Sequence, residues 1–229
     1  MGIIGVVAAL TIPNLNSATA DKEKVAKVQK LYSNLNDAFG RAQAVYGPFE
    51  EWFRGDSNEN AQTTRFAERI TEFMKVTKNC GMSTNQGCFS KGILYLNSPG
   101  SFNGWDDTDS SYYKVILADG TSVMFKYNGL NASLIMLDID GPNKGAKKVG
   151  IDVFRLFVAD NNIQYLDFNG WMLAQRASYE AFYRLDVRSG LDAVGWIIQN
   201  GNMDYLKTDD SGKCPNGKTI LNATNKTCK

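Results

Sequence analysis

The chain has 229 residues, 43% of them hydrophobic, which is enough to bury the core of one domain with an appendage or of two small lobes. Its 25 basic and 24 acidic residues leave a formal charge of +1, and no basic cluster exceeds Lys144, Lys147 and Lys148, so a nucleic-acid partner is not indicated. Histidine is absent, which argues against triad hydrolases and zinc enzymes because it is their commonest general base and metal ligand.

The chain opens with an almost entirely apolar run from Gly2 to Leu15. This run is shorter than the roughly 18 residues that a membrane-spanning helix needs. No Lys or Arg precedes it, as a secretory signal peptide would require, although the small residues of "NSATA" could form a cleavage site. A buried core helix, a signal remnant and the end of a longer apolar helix all remain open at this point.

The next segment carries a helical pattern. Apolar residues recur in steps of three or four at Val25, Val28, Leu31, Leu35, Phe39, Ala42 and Val45. This spacing places them on one face of a helix, with the lysines largely elsewhere. The sequence therefore predicts one long helix from about Gly2 to Tyr46, apolar in 2–15 and amphipathic in 21–46, with a bend or a loosened turn at Pro13.

The stretch "GIIGVVAALTIPNL" resembles the later part of the N-terminal signature of type IV pilins and of the pseudopilins of type II secretion. The matching residues are Ile4, Gly5, Ala8, Ala9, Ile12, Pro13 and Asn14. The leader, its cleavage glycine, the methylated first residue and the signature glutamate are not in this chain. We therefore interpret Met1 as an internal start, with the leader and the first part of the signature helix upstream.

The resemblance implies an α+β fold in which a long N-terminal α-helix packs on an antiparallel β-sheet head. It implies other pilin or pseudopilin subunits as partners, storage in the inner membrane with a periplasmic head before assembly, and a prepilin peptidase acting on the full-length precursor. The residues expected to form the filament and membrane helix are Ile3, Ile4, Gly5, Val6, Val7, Ala8, Ala9, Leu10, Ile12 and Pro13.

The rest of the chain, 47–229, is predicted to form a single α+β head. A helix is expected near Thr64 to Lys75, capped by Thr63 or Thr64. In "YKVILADGTSVMFKY" two alternating runs flank Asp119-Gly120, which indicates a hairpin with a type I′ turn. Strands at 133–138, 153–159 and 164–168 extend it to a four- or five-stranded antiparallel sheet, and 190–203 is a short apolar strand or helix.

The four cysteines form two sequence-local pairs, Cys80 with Cys88 and Cys214 with Cys228, in loops rich in polar residues. Neither pair has the spacing of a zinc knuckle or of a redox motif, so two disulfides are predicted, which would place the head outside the cytoplasm. Other pairings and free thiols remain possible alternatives. The resemblance also implies a disulfide-bounded loop near the C-terminus.

The loop in "LDIDGPNKGAKKVGIDVF" concentrates oxygen ligands at Asp138, Asp140, Asn143 and Asp152. These side chains could surround a calcium ion, the one cofactor that the sequence suggests, as the loops of some pseudopilin heads do. The alternative is a connection in which Asp and Asn side chains cap their own turns while Pro142 and Gly145 set the bend.

Phosphate loops, dinucleotide fingerprints and nucleophile elbows are missing from the sequence. The expected function is therefore not enzymatic but that of a structural subunit of a type IV pilus or type II secretion pseudopilus. The alternative is a secreted or membrane-tethered binding domain for a sugar or another surface ligand, in which 2–15 is a signal remnant.

Overall fold

The computed structural model shows an α+β fold with three α-helices and a six-stranded antiparallel sheet among the residues that it describes. Those residues are 3–55, 58–96, 105–130, 133–159, 161–164, 190, 193–209, 212–221 and 225–228, with side chains described from Thr19 onward and not at 159 and 164.

Helix α1 spans Ile3–Tyr46, and the backbone remains α-helical on both sides of Pro13. Its buried face consists of Val25, Val28, Leu31, Leu35, Ala38, Phe39 and Ala42. Six of these seven are positions that the sequence pattern predicts; Ala38 is buried in addition, and the predicted Val45 is 62% exposed. Gly47 follows the last residue of the helix, and its φ of 80° suits the left-handed conformation common after a helix C-terminus.

A short 3₁₀ helix, Phe49–Phe53, and helix α2, Glu59–Thr71, follow α1. Helix α2 begins five residues before the predicted Thr64, and its cap is neither Thr63 nor Thr64. The side chain of Asn58 caps it instead, accepting from the backbone N–H groups of Asn60 at 2.9 Å and Ala61 at 3.2 Å.

The sheet contains β1 Val76–Gly81, β2 Tyr113–Leu117, β3 Ser122–Lys126, β4 Ser133–Asp138, β5 Val153–Ala159 and β6 Asn162–Gln164. The strands lie in chain order, and each is antiparallel to the next. Strands β4 and β5 have the predicted bounds. The last predicted strand appears earlier, as β6, and 165–168 lie outside the described residues.

The hairpin between β2 and β3 is present, but its turn is not type I′. The N–H of Leu117 donates to the carbonyl of Thr121 at 2.8 Å, so the loop has three residues, and Gly120 has a φ of 86°. A three-residue loop with one left-handed glycine is the next commonest hairpin connection after the two-residue turns.

Both faces of the sheet are covered. One face packs against α1, α2 and helix α3, Ala193–Asn200, and forms the main core. The other face carries Met124, Met136 and Val153 and packs against Phe89 and Tyr112 from the long β1–β2 connection. Because it lies between two covered faces, every residue of β4 is buried, including the polar Ser133 and Asp138.

Both predicted disulfides are present, Cys80–Cys88 and Cys214–Cys228, with Cα–Cα separations of 6.3 and 5.4 Å. The apolar segment 190–203 contains a helix, α3, which was one of its two predicted forms.

Candidate functional site

The first part of the candidate site is the N-terminal part of α1. The predicted filament residues from Ile3 to Pro13 lie in helical backbone, and their side chains lie outside the described residues. Among the residues described, no helix is both long and apolar enough to cross a membrane.

Helix α1 enters the head at Val25, the first of its described side chains to be buried, while the side chains from Thr19 to Lys24 are exposed or half-buried. The helix contains 22 residues before Val25, from 3 to 24, which at 1.5 Å per residue is about 33 Å. One helix thus joins a core segment to a long N-terminal segment.

The loop of residues 139–152, between β4 and β5, contacts α1 at the point where the helix enters the head. The ammonium of Lys27 donates to the Asp140 carboxylate at 3.3 Å and to the carbonyl of Ile139 at 3.5 Å. Lys24 lies 3.7 Å from the other oxygen of Asp140. The Asp140 side chain is 20% exposed, so these ion pairs are partly shielded from water and hold the loop against α1.

Asp152 is buried and organises the same loop from within. Its two oxygens accept from the backbone N–H groups of Lys147 and Lys148, both at 2.8 Å. Gly145 lies directly against this carboxylate and that of Asp140, and a Cβ at this position would overlap both. With a φ of 76°, Gly145 also has a backbone conformation that other residues rarely adopt.

Asp138, the last residue of β4, is fully buried, and neither of its carboxylate oxygens has a hydrogen-bond partner. Its cross-strand neighbour Ser122 is also buried with an unpartnered hydroxyl. Burial, with a smaller contribution from the charge of Asp152, raises the pKa of Asp138 to about 7, although the Ser90 hydroxyl and the backbone N–H groups of Gly141 and Asp140 act in the opposite direction.

The four predicted calcium ligands therefore do not form one oxygen cage. Asp152 binds backbone N–H groups, Asp140 pairs with lysines, Asn143 is exposed, and Asp138 alone has uncommitted oxygens. In the part of the chain that the structure describes, no group of three or more His, Cys, Asp or Glu is placed to hold a metal. These contacts fit the loop-capping alternative better than a metal site, and calcium binding stays a prediction.

Two residues that the sequence reasoning missed fasten the Cys80–Cys88 loop. The Asp107 carboxylate accepts from the N–H groups of Gly87 at 2.8 Å, Cys88 at 3.1 Å and Phe89 at 3.2 Å.

The fully buried Lys114 donates to the carbonyls of Ser83, Asp109 and Tyr112. Burial lowers the pKa of Lys114, and the neighbouring aspartates oppose that shift. The sequence gives only a weak indication that Lys114 is buried. In the alternating pattern of β2 it falls on the face opposite Tyr113 and Val115, which the pattern predicts to be polar.

A surface pocket of about 350 Å³ lies beside α1, between the helix, the segment after α2 and the β2–β3 turn. Its apolar lining is Phe73, Met74, Leu117 and Ala118, and its charged lining is Lys30, Asp37, Lys75 and Asp119. Charges of both signs surround an apolar floor, which does not point to one class of small ligand.

Comparison with protein-family models, with curated proteins and with solved structures gives no match.

Proposed function

We propose that this chain is a structural, non-enzymatic subunit of a type IV pilus or type II secretion pseudopilus that polymerises through the N-terminal segment of α1. The observation that carries the proposal is the division of α1. Residues from Val25 onward are built into the head, whereas the same helix continues for 22 residues on the N-terminal side of Val25.

The composition of that segment suits both the membrane before assembly and the filament after it. The run 2–15 is almost entirely apolar, which suits the lipid of the inner membrane before assembly. Gly5, Ala8 and Ala9 are small residues, which allow helix backbones to approach closely. The same segment then packs against the corresponding helices of other subunits in the filament.

The head supports an extracytoplasmic location. Two disulfides bound its loops, and disulfides persist in oxidising compartments such as the periplasm and the cell surface. In the proposal, a prepilin peptidase processes the precursor, the head faces the periplasm, and the assembled subunit belongs to a periplasmic or cell-surface filament.

The first test is the N-terminus of the mature protein in the cells that make it, measured by peptide mass spectrometry on membrane and sheared-surface fractions. A filament subunit retains 2–20 in both fractions, with an N-methylated residue upstream. A mature chain that begins after Ala20 would refute the proposal and favour the secreted binding domain.

The second test changes the size of one small residue. Gly5→Leu should abolish recovery of the chain in sheared filaments, because the larger side chain separates the packed helices. Gly40→Leu is the matched control, since Gly40 lies on the exposed side of the same helix with no atom within 4 Å of an added Cβ. Equal filament yields for the two variants would contradict packing through Gly5.

A further inference from the structure

The end of the head at which α1 enters is basic. We define the basic end as α1 residues 21–30 together with the loop 139–152, which the Lys24 and Lys27 contacts with Asp140 bring side by side. It contains seven lysines and four acidic residues, a net charge of +3. Among the described interactions no ion pair involves Lys22, Lys30 or Lys144, and all three are exposed.

The opposite end of the head is acidic. We define the acidic end as residues 47–55 and 58–72, which contain the 3₁₀ helix and α2 and follow the C-terminus of α1. These residues include five acidic and three basic side chains, a net charge of −2. From the middle of 21–30 to Tyr46 is about 20 residues of helix, so the two ends lie roughly 30 Å apart along α1.

Several charges of the acidic end are engaged within the head, since Glu51 pairs with Arg54 at 3.0 Å and Glu59 with Lys126 at 3.8 Å. Arg65 donates to the carbonyl of Trp52 at 3.2 Å, and the guanidinium of Arg69 lies 4.5 Å from the ring centre of Tyr46. Glu50 and Glu68 are exposed, and no described ion pair involves either of them. Their carboxylates are available to a partner.

We propose that the basic end of one copy binds the acidic end of a second copy, an inference that rests on the proposed filament function. An open filament requires a heterologous contact between two different surfaces of the same chain, and this head carries two surfaces of opposite charge. Such complementarity sets register and raises the rate of association, and salt screens it over about 8–10 Å.

The test exchanges the charges. The variant K22E/K30E makes both ends acidic, and E50K/E68K makes both ends basic. Each full-length variant is produced in the native cells, and filaments are sheared, sedimented at low salt and quantified. Each variant alone should give about a tenfold lower yield, because like charges meet at the contact. Thermal unfolding of each variant checks that the head is folded.

Two rescues make the test specific. The four-substitution chain, with both ends reversed, should recover filaments, and so should co-production of the two variants, since an acidic end then meets a basic end again. Loss of filaments from the wild type in high salt is also expected.

The outcomes separate the inference from the proposed function. Absence of sheared wild-type filaments would overturn the filament function itself. Wild-type filaments with no rescue in either arrangement would overturn the charge contact alone. K22E/K30E could instead detach the chain from membranes, with no return to the membrane in the four-substitution chain. In that case the basic end binds anionic lipid, and the proposed contact between copies is wrong.

Discussion

Asp138 provides the sharpest test of the structure, because a buried carboxyl whose pKa is raised in the folded chain makes stability depend on pH. Its pKa is about 7 in the folded chain and about 3.9 in an unfolded one. Below pH about 4 both states are protonated, and the carboxyl has no effect on the pH dependence. Between these two pKa values the unfolded chain ionises first, so the free energy of unfolding falls as pH rises.

The size of the effect follows from the shift. A difference of about 3 pKa units at about 1.4 kcal/mol each lowers stability by roughly 4 kcal/mol by pH 7, and the loss is constant above that pH. Asp138→Asn removes the titration while keeping the shape. The stability of the Asn variant relative to wild type should therefore rise by roughly 4 kcal/mol from pH 4 to pH 8.

The assay is urea unfolding of the full chain at a series of pH values, in one detergent and with the disulfides intact. Asp37→Asn is the control, because the Asp37 side chain is 71% exposed and its one ion pair among the described residues is the helix-surface pair with Arg41 at 3.9 Å. Its difference from wild type should hardly change with pH. A pH-independent difference for Asp138→Asn would refute the assignment of an uncompensated buried carboxylate.

Three further tests of the packing of the head use the same unfolding assay. Gly145→Ala should lower the free energy of unfolding by several kcal/mol, because the added methyl overlaps the Asp152 carboxylate. Gly217 also has a positive φ but lies in open space, so Gly217→Ala should lower it by only about 1 kcal/mol. Equal losses would contradict the packing at Gly145. Leu35→Ala should cost about 2–5 kcal/mol because Leu35 is fully buried, and Val45→Ala should be nearly neutral at 62% exposure; similar values would refute the buried face of α1. Replacing Cys214 and Cys228 by serine should lower stability by about 2–4 kcal/mol, and an unchanged unfolding midpoint would show that the disulfide does not stabilise the head.

The sequence predicts those elements whose residues carry a periodic pattern. Strands β4 and β5 have their predicted bounds because each is a run of apolar or β-branched residues between turn-forming residues. Helix α2 begins earlier than predicted because its first turn is polar and no buried residue precedes Thr63, so the helical period becomes visible late. Strand β1, "VTKNCG", has little apolar alternation, and its place in the sheet comes from backbone pairing with β2.

The candidate site is predictable only in part. Both disulfides join cysteines that are close in sequence, 8 and 14 residues apart, and short loops of this kind are the simplest to close, so the pairing could be predicted. The contact between Lys27 and Asp140 joins residues 113 apart, and no local pattern in the sequence connects them. The sequence suggests Asp138 as an oxygen ligand for calcium but does not predict that it is buried. Its burial follows from the covering of both faces of β4, which depends on how distant loops pack.

The edge of the sheet at β1 is poorly suited to pairing with a strand from another copy of this chain. Strand β1 pairs with β2 through two register irregularities and carries Cys80, which the disulfide ties back to Cys88. At the far side of the described sheet, residues 162–164 form β6, and the Tyr32 hydroxyl of α1 donates to the Ile163 carbonyl at 3.3 Å. Irregular and covered edges resist the addition of a strand from another chain. Growth by strand addition is thus disfavoured at β1.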